Sequence, residues 1–402
     1  MTRIAITGVG AVSPLGTDAP STWAALTSGA SGVVPLDTPW SEPLTTRFAG
    51  LVDDSFQEAL SVREIKRMDR SEQFTMAAGR EAWNDAGAPE VDPERLAVVI
   101  GTGIGGIGTT TVQEHVLAEK GPRRVSPHTV NMLMANGSAG WLSIDLGAKA
   151  GARTPVSACA SGSEAIAMAR EMILSGSADT VVAGGTEAAV AGLTMASFGQ
   201  TRALSKRNDD PAAASRPFDA DRDGFVLGEG AVVMVLERED HANARGARIH
   251  GYVDGSAITS DAHDIVGADP ENQARTMRMA VRASGWETAD IGFVHAHATS
   301  TPAGDINETR AITGAGLAGV PVTSTKSMTG HLLGASGALS TLATVMALRD
   351  GTIPPTTNLD RQDPEIELDV VANRARPTDA RVAVVNSFGF GGHNVALVVS
   401  GI

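Results

Sequence analysis

Cys159, the single cysteine in 402 residues, sits in Pro155-Val156-Ser157-Ala158-Cys159-Ala160-Ser161-Gly162-Ser163-Glu164. A short strand-like stretch turns there into the run Ala165 to Leu174, which lacks Pro and Gly and reads as a helix. Cys159 is expected in the first turn of that helix, where unpaired N–H groups and the positive end of the dipole favour a thiolate. Taken alone, a lone cysteine reads first as a small apolar core residue. A nucleophile needs partners.

Two segments offer them: Val294-His295-Ala296-His297-Ala298-Thr299-Ser300-Thr301 and Ser324-Thr325-Lys326-Ser327-Met328-Thr329-Gly330-His331. Each follows an apolar strand at its carboxyl end, the edge where ligands collect in open α/β sheets, so His297, Lys326 and His331 are expected to converge with Cys159. A Cys and His set supplies a nucleophile and a proton handler or hydrogen-bond donor. A single His by itself is more often structural. A fourth segment, Val385-Asn386-Ser387-Phe388-Gly389-Phe390-Gly391-Gly392-His393-Asn394, alternates Gly and Phe. That pattern does not suit a regular buried strand; it reads either as a glycine-rich bulge or as backbone whose free N–H groups form an oxyanion hole.

Strand candidates at 96–100, 180–183, 231–237, 293–297, 320–325, 381–386 and 394–400 are continuous apolar runs, as in sheets covered on both faces. Helical periods fall between them at 70–86, 164–174, 273–283 and 332–349, the last small or apolar on nearly every side and so expected to be buried. The alternation argues for a layered α/β fold. Each half carries a strand ending in a Gly/Ser/His-rich loop followed by a small-residue helix, which suggests two related halves, 1–245 and 246–402, meeting at the polar stretch 237–248.

Formal net charge is −14, which argues against nucleic acid and anionic membrane as partners. Lys66-Arg67, Arg123-Arg124 and Arg202 with Lys206-Arg207 are basic groups in this acidic chain, and read either as solvated surface or as a patch for an acidic partner. One cysteine allows no internal disulfide. With no signal-peptide pattern after Met1 and no apolar run of membrane-spanning length, the chain is expected to be soluble and cytoplasmic, without membrane insertion.

Together the four segments, with Ile6-Thr7-Gly8-Val9-Gly10 and Arg216-Pro217-Phe218-Asp219-Ala220-Asp221-Arg222-Asp223-Gly224-Phe225, resemble the β-ketoacyl-acyl carrier protein synthases of the thiolase superfamily, specifically the elongating type II enzymes of bacterial fatty acid synthesis. The resemblance runs the whole length. It implies a thiolase-like five-layered αβαβα fold of two similar halves, a homodimer, and a decarboxylative Claisen condensation of malonyl-carrier protein with a Cys-bound acyl chain. By this resemblance Cys159 carries the acyl thioester, and His297 and His331 support decarboxylation and the enolate. Lys326 organises their network, and the N–H groups of Cys159 and Phe390 form the oxyanion hole. Thr299 and Thr301 match positions that bind the phosphopantetheine arm. Ile104 lines the acyl pocket, Phe388, Gly389 and the gate Phe390 contact substrate, and Thr129 lies at the far end of a partner's pocket. Lys66, Arg67, Arg123, Arg124 and Arg202 match positions that dock acyl carrier protein. No metal or organic cofactor is implied. A type II polyketide ketosynthase, paired with a Cys-less subunit, shares the same catalytic set; an inactive chain-length or scaffold subunit usually lacks the nucleophile.

Four positions depart from the family pattern: Ala298 stands for a Gly, Ser340 for a Glu, Asp264 for a loop His, and Thr129 for an aromatic residue of some relatives. The Ser340 change is expected to weaken or abolish a structural monovalent-cation site. Three motif matches are rejected. Gly101-x-Gly103-x-x-Gly106 mimics a dinucleotide fingerprint but reads as pocket-lining backbone, without a following helix. Asp219-x-Asp221-x-Asp223-Gly224 lacks the twelfth-position Glu of a calcium loop. His295-x-His297 lacks a third zinc ligand.

Overall fold

The computed structural model describes residues 3–402. The first half contributes strands β1 (Ile4–Val12), β2 (Leu96–Gly101), β3 (Gly151–Arg153), β4 (Thr180–Glu187) and β5 (Gly230–Arg238). The second contributes β6 (Gly251–Ser260), β7 (Phe293–His295), β8 (Pro321–Thr323), β9 (Asp369–Val370), β10 (Val382–Gly389) and β11 (His393–Ser400). They form one eleven-stranded sheet in the order β9-β8-β7-β10-β11-β6-β1-β5-β4-β2-β3. The order β3-β2-β4-β5-β1 in the first half recurs as β8-β7-β10-β11-β6 in the second, with matching orientations: the outer three strands parallel, the next two antiparallel. Only Ala5 with Tyr252 and Ile6 with Gly251 pair across the junction of β1 and β6. That short seam lets the halves face one another instead of extending as one flat sheet.

Five helices complete the frame: α1 (Arg70–Asp85), α2 (Ser161–Leu174), α3 (Pro270–Ser284), α4 (Pro302–Gly314) and α5 (Ser336–Asp350). Helices α2 and α5 touch strands of both halves and form the middle layer, α1 covers the outside of the first half, and α3 and α4 cover the second. The result is the five-layered αβαβα arrangement. Twelve consecutive residues of α5, Ser336 to Ala347, are buried, as a helix without a polar face requires. Its start is four residues later than the apolar run suggests, because Leu333–Ala335 forms a separate 3₁₀ turn.

Close approach of helix to strand repeats in the two halves. A side chain on Gly8 or Gly10 of β1 would collide with the carbonyl oxygens of Ala82 and Ala78 on α1, and one on Gly255 of β6 with that of Ala280 on α3. Where the middle helices cross, a methyl on Gly162 would lie 2.6 Å from the Gly334 carbonyl oxygen and 3.0 Å from the Ala338 nitrogen. The small residues at these points bring the amino ends of α2 and α5 together, and the segments feeding these helices carry Cys159 and His331.

Candidate active site

Cys159 lies in a 3₁₀ turn, Ala158–Ala160, immediately before α2. Ala158 holds φ +50°, a left-handed conformation that costs a residue with a side chain about 1–2 kcal/mol. Ser300 (φ +70°) and Leu333 (φ +43°) share that conformation. Ala158 and Leu333 line the same cavity as Cys159, and Ser300 separates two further lining residues, Thr299 and Thr301. Strain of this kind survives only where surrounding bonds over-determine the backbone. Here the Ser161 hydroxyl donates to the Ala158 carbonyl (2.7 Å) and accepts from the Ser157 N–H (2.9 Å), and the Ser300 N–H donates to Asp305 (3.2 Å).

The Gly-Phe segment is more regular than its composition suggests. Strand β10 continues through Phe388 and Gly389, which pair with Asn394 and His393 on β11. Only Phe390, Gly391 and Gly392 turn, the two glycines at φ +85° and +72°. Gly389 is needed for approach, not for a bend: a methyl there would collide with the Ser157 carbonyl oxygen and lie 3.3 Å from the amide nitrogens of Cys159 and Ala160. The strand can therefore seat the Phe390 N–H against the Cys159 sulfur, which also meets its own backbone N–H.

The histidines arrive from the second half. Strand β7 stops at His295, short of the expected His297, because the N–H groups of His297 and Ala298 leave the ladder for the Glu308 carboxylate on α4 (2.8 and 2.6 Å). Asn386 of β10 donates to the same carboxylate at 3.0 Å. Ala298 takes the usual place of a glycine without left-handed backbone. Strand β8 likewise ends at Thr323, and Lys326 opens a single helical turn, Lys326–Thr329. The rings of His297 and His331 meet edge to face with centroids 5.3 Å apart, flanked by Phe388 at 5.8 Å from His297 and Phe225 at 5.6 Å from His331.

Burial dominates the electrostatics. It holds His297 well below the ordinary imidazole value, helped by Lys326 and His331, and does the same to His331, helped by Lys326. Both rings are neutral donors or acceptors at physiological pH. Burial lowers Lys326 to about 8 against the pull of Glu308, Cys159 and Asp305. The thiolate expected at the helix terminus is overturned: burial, then the Glu187 carboxylate, pushes the Cys159 thiol up to about 12, outweighing Lys326 and the two N–H groups that favour the anion. The resting site holds a thiol.

Glu187 carries no signal in the sequence, yet it ties the cavity floor together. Its carboxylate accepts from the N–H groups of Gly103 (2.7 Å), Gly334 (3.0 Å) and Ile104 (3.3 Å) and from the Thr102 hydroxyl (3.1 Å). This also disposes of the dinucleotide match. A helix, Ile107–Lys120, does follow Gly106, contrary to the sequence reading, but Glu187 occupies the amides a pyrophosphate would need. His295 is engaged by the hydroxyls of Thr325 and Thr344, each at 3.2 Å, and among the described residues no three His, Cys, Asp or Glu side chains group as a metal site.

Ile104, Cys159, His297, Thr299, Thr301, His331, Phe388, Gly389 and Phe390 line one cavity of about 700 Å³, with Arg202 among its wall residues. Thr299 and Thr301 share a 3.1 Å hydroxyl contact. Lys326 lies behind the cavity and does not line it, and Thr129, at the start of a short helix, does not line it either. Lys66, Arg123 and Arg124 are exposed on short helical turns away from the cavity lining, and Arg67 is partly exposed. Asp264 is exposed and accepts from the N–H groups of Val266 (2.8 Å) and Gly267 (2.7 Å), shaping a loop whose Ile265 carbonyl accepts from the Gly391 N–H at 2.7 Å. Ser340 is buried within α5, its carbonyl accepting from the Thr344 hydroxyl.

A buried thiol with two amide donors, sharing one cavity with two neutral imidazoles in a thiolase-like fold, defines an acyl-transferring condensing enzyme. Residues 1–242 match the beta-ketoacyl synthase N-terminal domain and residues 250–360 the beta-ketoacyl synthase C-terminal domain, and the chain belongs to the beta-ketoacyl synthase family. It is 44% identical to a 3-oxoacyl-[acyl-carrier-protein] synthase 2 from Synechocystis sp., covering 98% of this chain and 97% of the relative. Among solved structures, the ishigamide ketosynthase/chain length factor superposes with TM-score 0.94 at 33% identity, covering 100% of this chain and 99% of that one. A type II polyketide acyl-carrier protein in complex with its ketosynthase bound to the hexaketide gives TM-score 0.91 at 29% identity, covering 100% and 99%.

Proposed function

We propose that this condensing enzyme elongates acyl chains held on acyl carrier protein as a 3-oxoacyl-[acyl-carrier-protein] synthase of fatty acid synthesis. The observation that carries the reading is the common cavity of Cys159, His297 and His331. In the first half-reaction the Cys159 sulfur attacks the carrier thioester, the carrier leaves as its pantetheine thiol with the proton from Cys159, and the N–H groups of Cys159 and Phe390 receive the oxyanion. In the second, malonyl-carrier protein loses CO₂, and its enolate attacks the Cys159 thioester. Expulsion of the sulfur, which regains a proton from solvent, leaves a 3-oxoacyl chain two carbons longer.

Two oxyanions form in succession, so two donor sets are needed: the amide pair at the sulfur and the imidazoles of His297 and His331 at the malonyl carbonyl. Neutral rings suit the second task, since a strong acid would protonate the carbanion before it could attack. Lys326, buried behind the pair, fixes the local field without touching the substrate. Thr299 and Thr301 on the cavity wall suit the amides of a phosphopantetheine arm. Arg202 at the cavity, with Lys66, Arg67, Arg123 and Arg124, suits docking of an acidic carrier protein. The chemistry as written uses no metal or organic cofactor.

We assign the enzyme to the cytoplasm as a homodimer with related halves 1–245 and 246–402. Among the described residues no helix is long and apolar enough to cross a membrane. The repeated strand order supports the two halves. Among the described residues strand β3 has a neighbour on one side only, and Ile144 on the helix Gly137–Leu146 packed against it, with Val156 just beyond the strand, are 74% and 52% exposed apolar side chains, which supports a second copy across that edge and a place for Thr129 in the partner's pocket. The 44% identity to a 3-oxoacyl-[acyl-carrier-protein] synthase 2 over nearly the whole of both chains supports fatty acid elongation. Retention of the complete catalytic set disfavours a scaffold role. Mass spectrometry of carrier-bound products, after incubation with malonyl-carrier protein and acyl-carrier proteins of graded length, tests the assignment: 3-oxoacyl products two carbons longer support it, and their absence at every length overturns it.

A further inference from the structure

Ser336 is the first residue of α5, and its hydroxyl oxygen lies 2.8 Å from Nδ1 of His331. Both side chains are buried, at 3% exposure each. At the amino end of a helix a serine hydroxyl usually bonds nearby backbone, but here the His331 ring is the only partner of the Ser336 hydroxyl among the described residues. The hydroxyl could accept from an Nδ1–H or donate to a bare Nδ1, and only the second arrangement uses its own proton, since it has no other acceptor among the described residues. The ring is neutral, so its own proton then resides on Nε2. Nε2 is buried with no protein partner among the described residues, on a ring that lines the catalytic cavity.

We propose that Ser336 is a positioning residue that locks His331 in the Nε2–H tautomer, presenting a fixed donor to the cavity. The edge-to-face contacts with Phe225 and His297 hold the ring plane, and the serine decides which nitrogen carries the proton. His297 has no equivalent: its Nδ1 is buried and has no partner among the described residues, so none of them selects its tautomer through that nitrogen. The two histidines therefore differ. His331 is a fixed electrophile, whereas His297 is free to exchange its proton.

The inference rests on the reading of His331 as donor to the malonyl carbonyl, and its test separates the two. Side-chain ¹⁵N spectra of the histidine-labelled enzyme, with His331 assigned through His331→Gln, report the tautomer directly. The wild type is expected to show a protonated Nε2 and an unprotonated, hydrogen-bonded Nδ1 at His331; a proton on Nδ1 overturns the proposal whatever the variants do. Ser336→Ala is expected to shift His331 toward a tautomer mixture. It is also expected to slow malonyl-carrier decarboxylation about tenfold in kcat with KM little changed, the effect of losing one buried hydrogen bond, and Ser336→Thr to restore both signals. An unchanged tautomer and rate in Ser336→Ala overturn it. If His331→Gln decarboxylates at the wild-type rate, the donor role of His331 fails, while the tautomer result stands on its own.

Discussion

Replacing Gly389 by alanine tests the geometry on which the amide pair depends. The added methyl would fall about 0.6 Å short of the 3.0 Å separation that real Cβ atoms keep from a backbone oxygen such as that of Ser157. The obstacle is backbone, held by the Ser161 hydroxyl bonds, so β10 rather than the cysteine turn must give way. That retreat carries the adjoining Phe390 N–H away from the sulfur. Misplacement approaching an ångström, or loss of one oxyanion donor, costs roughly 10²-fold in rate, about 2.7 kcal/mol of transition-state stabilisation. Gly389→Ala is therefore expected to lower the condensation rate about a hundredfold. Decarboxylation, served by the histidines, should change far less. The assay follows both products of malonyl-carrier protein with an acylated enzyme, CO₂ and the 3-oxoacyl chain, alongside Gly319→Ala, whose added methyl meets nothing within 4 Å. Wild-type condensation by a folded Gly389→Ala enzyme, or equal loss of both steps, would refute the reasoning.

Alkylation of the free enzyme by iodoacetamide should rise roughly tenfold per pH unit from pH 7 to 9, because a thiol raised to about 12 has little thiolate below that value; a plateau below pH 8 would contradict it. His295, depressed to about 3 by burial and Lys326, stays neutral in the fold while an unfolded histidine takes up a proton near 6.5, so its contribution to stability is complete above pH 6.5 and lost as pH falls toward 3. Relative to His295→Asn, the wild type should lose about 1.4 kcal/mol per pH unit between 6 and 4, and parallel denaturation profiles would rule this out. Arg202→Glu should raise KM for acyl-carrier protein severalfold at low salt, with the difference shrinking as salt is added; a salt-independent effect would argue against an electrostatic docking role.

Much of this site is legible along the chain because its reactive groups follow strands or precede helices, and apolar runs place those strands to within a few residues. Cys159, His297 and His331 are found that way, as is the buried character of α5. What escapes is whatever depends on long-range packing. Glu187 lies beyond the strand expected at 180–183 and has nothing to mark it until Gly103, Ile104 and Gly334 are folded around it. Ser336 falls inside the helical period expected over 332–349, and nothing local says that it opens the helix with its hydroxyl facing His331. The Gly-Phe segment misleads because a glycine that permits close approach and one that permits a turn look the same in sequence; Gly389 is the first kind, Gly391 and Gly392 the second. The state of the Cys159 thiol misleads for a related reason, since a helix terminus is visible in sequence while full burial beside Glu187 is not.

The central claim is that Cys159 carries the growing chain. Peptide mass spectrometry after brief incubation with acyl-carrier protein should place one acyl group on the peptide bearing Cys159, and addition of malonyl-carrier protein should discharge it as a 3-oxoacyl-carrier two carbons longer. An acyl group on another residue, or an acylated Cys159 that malonyl-carrier protein does not discharge, would contradict the account.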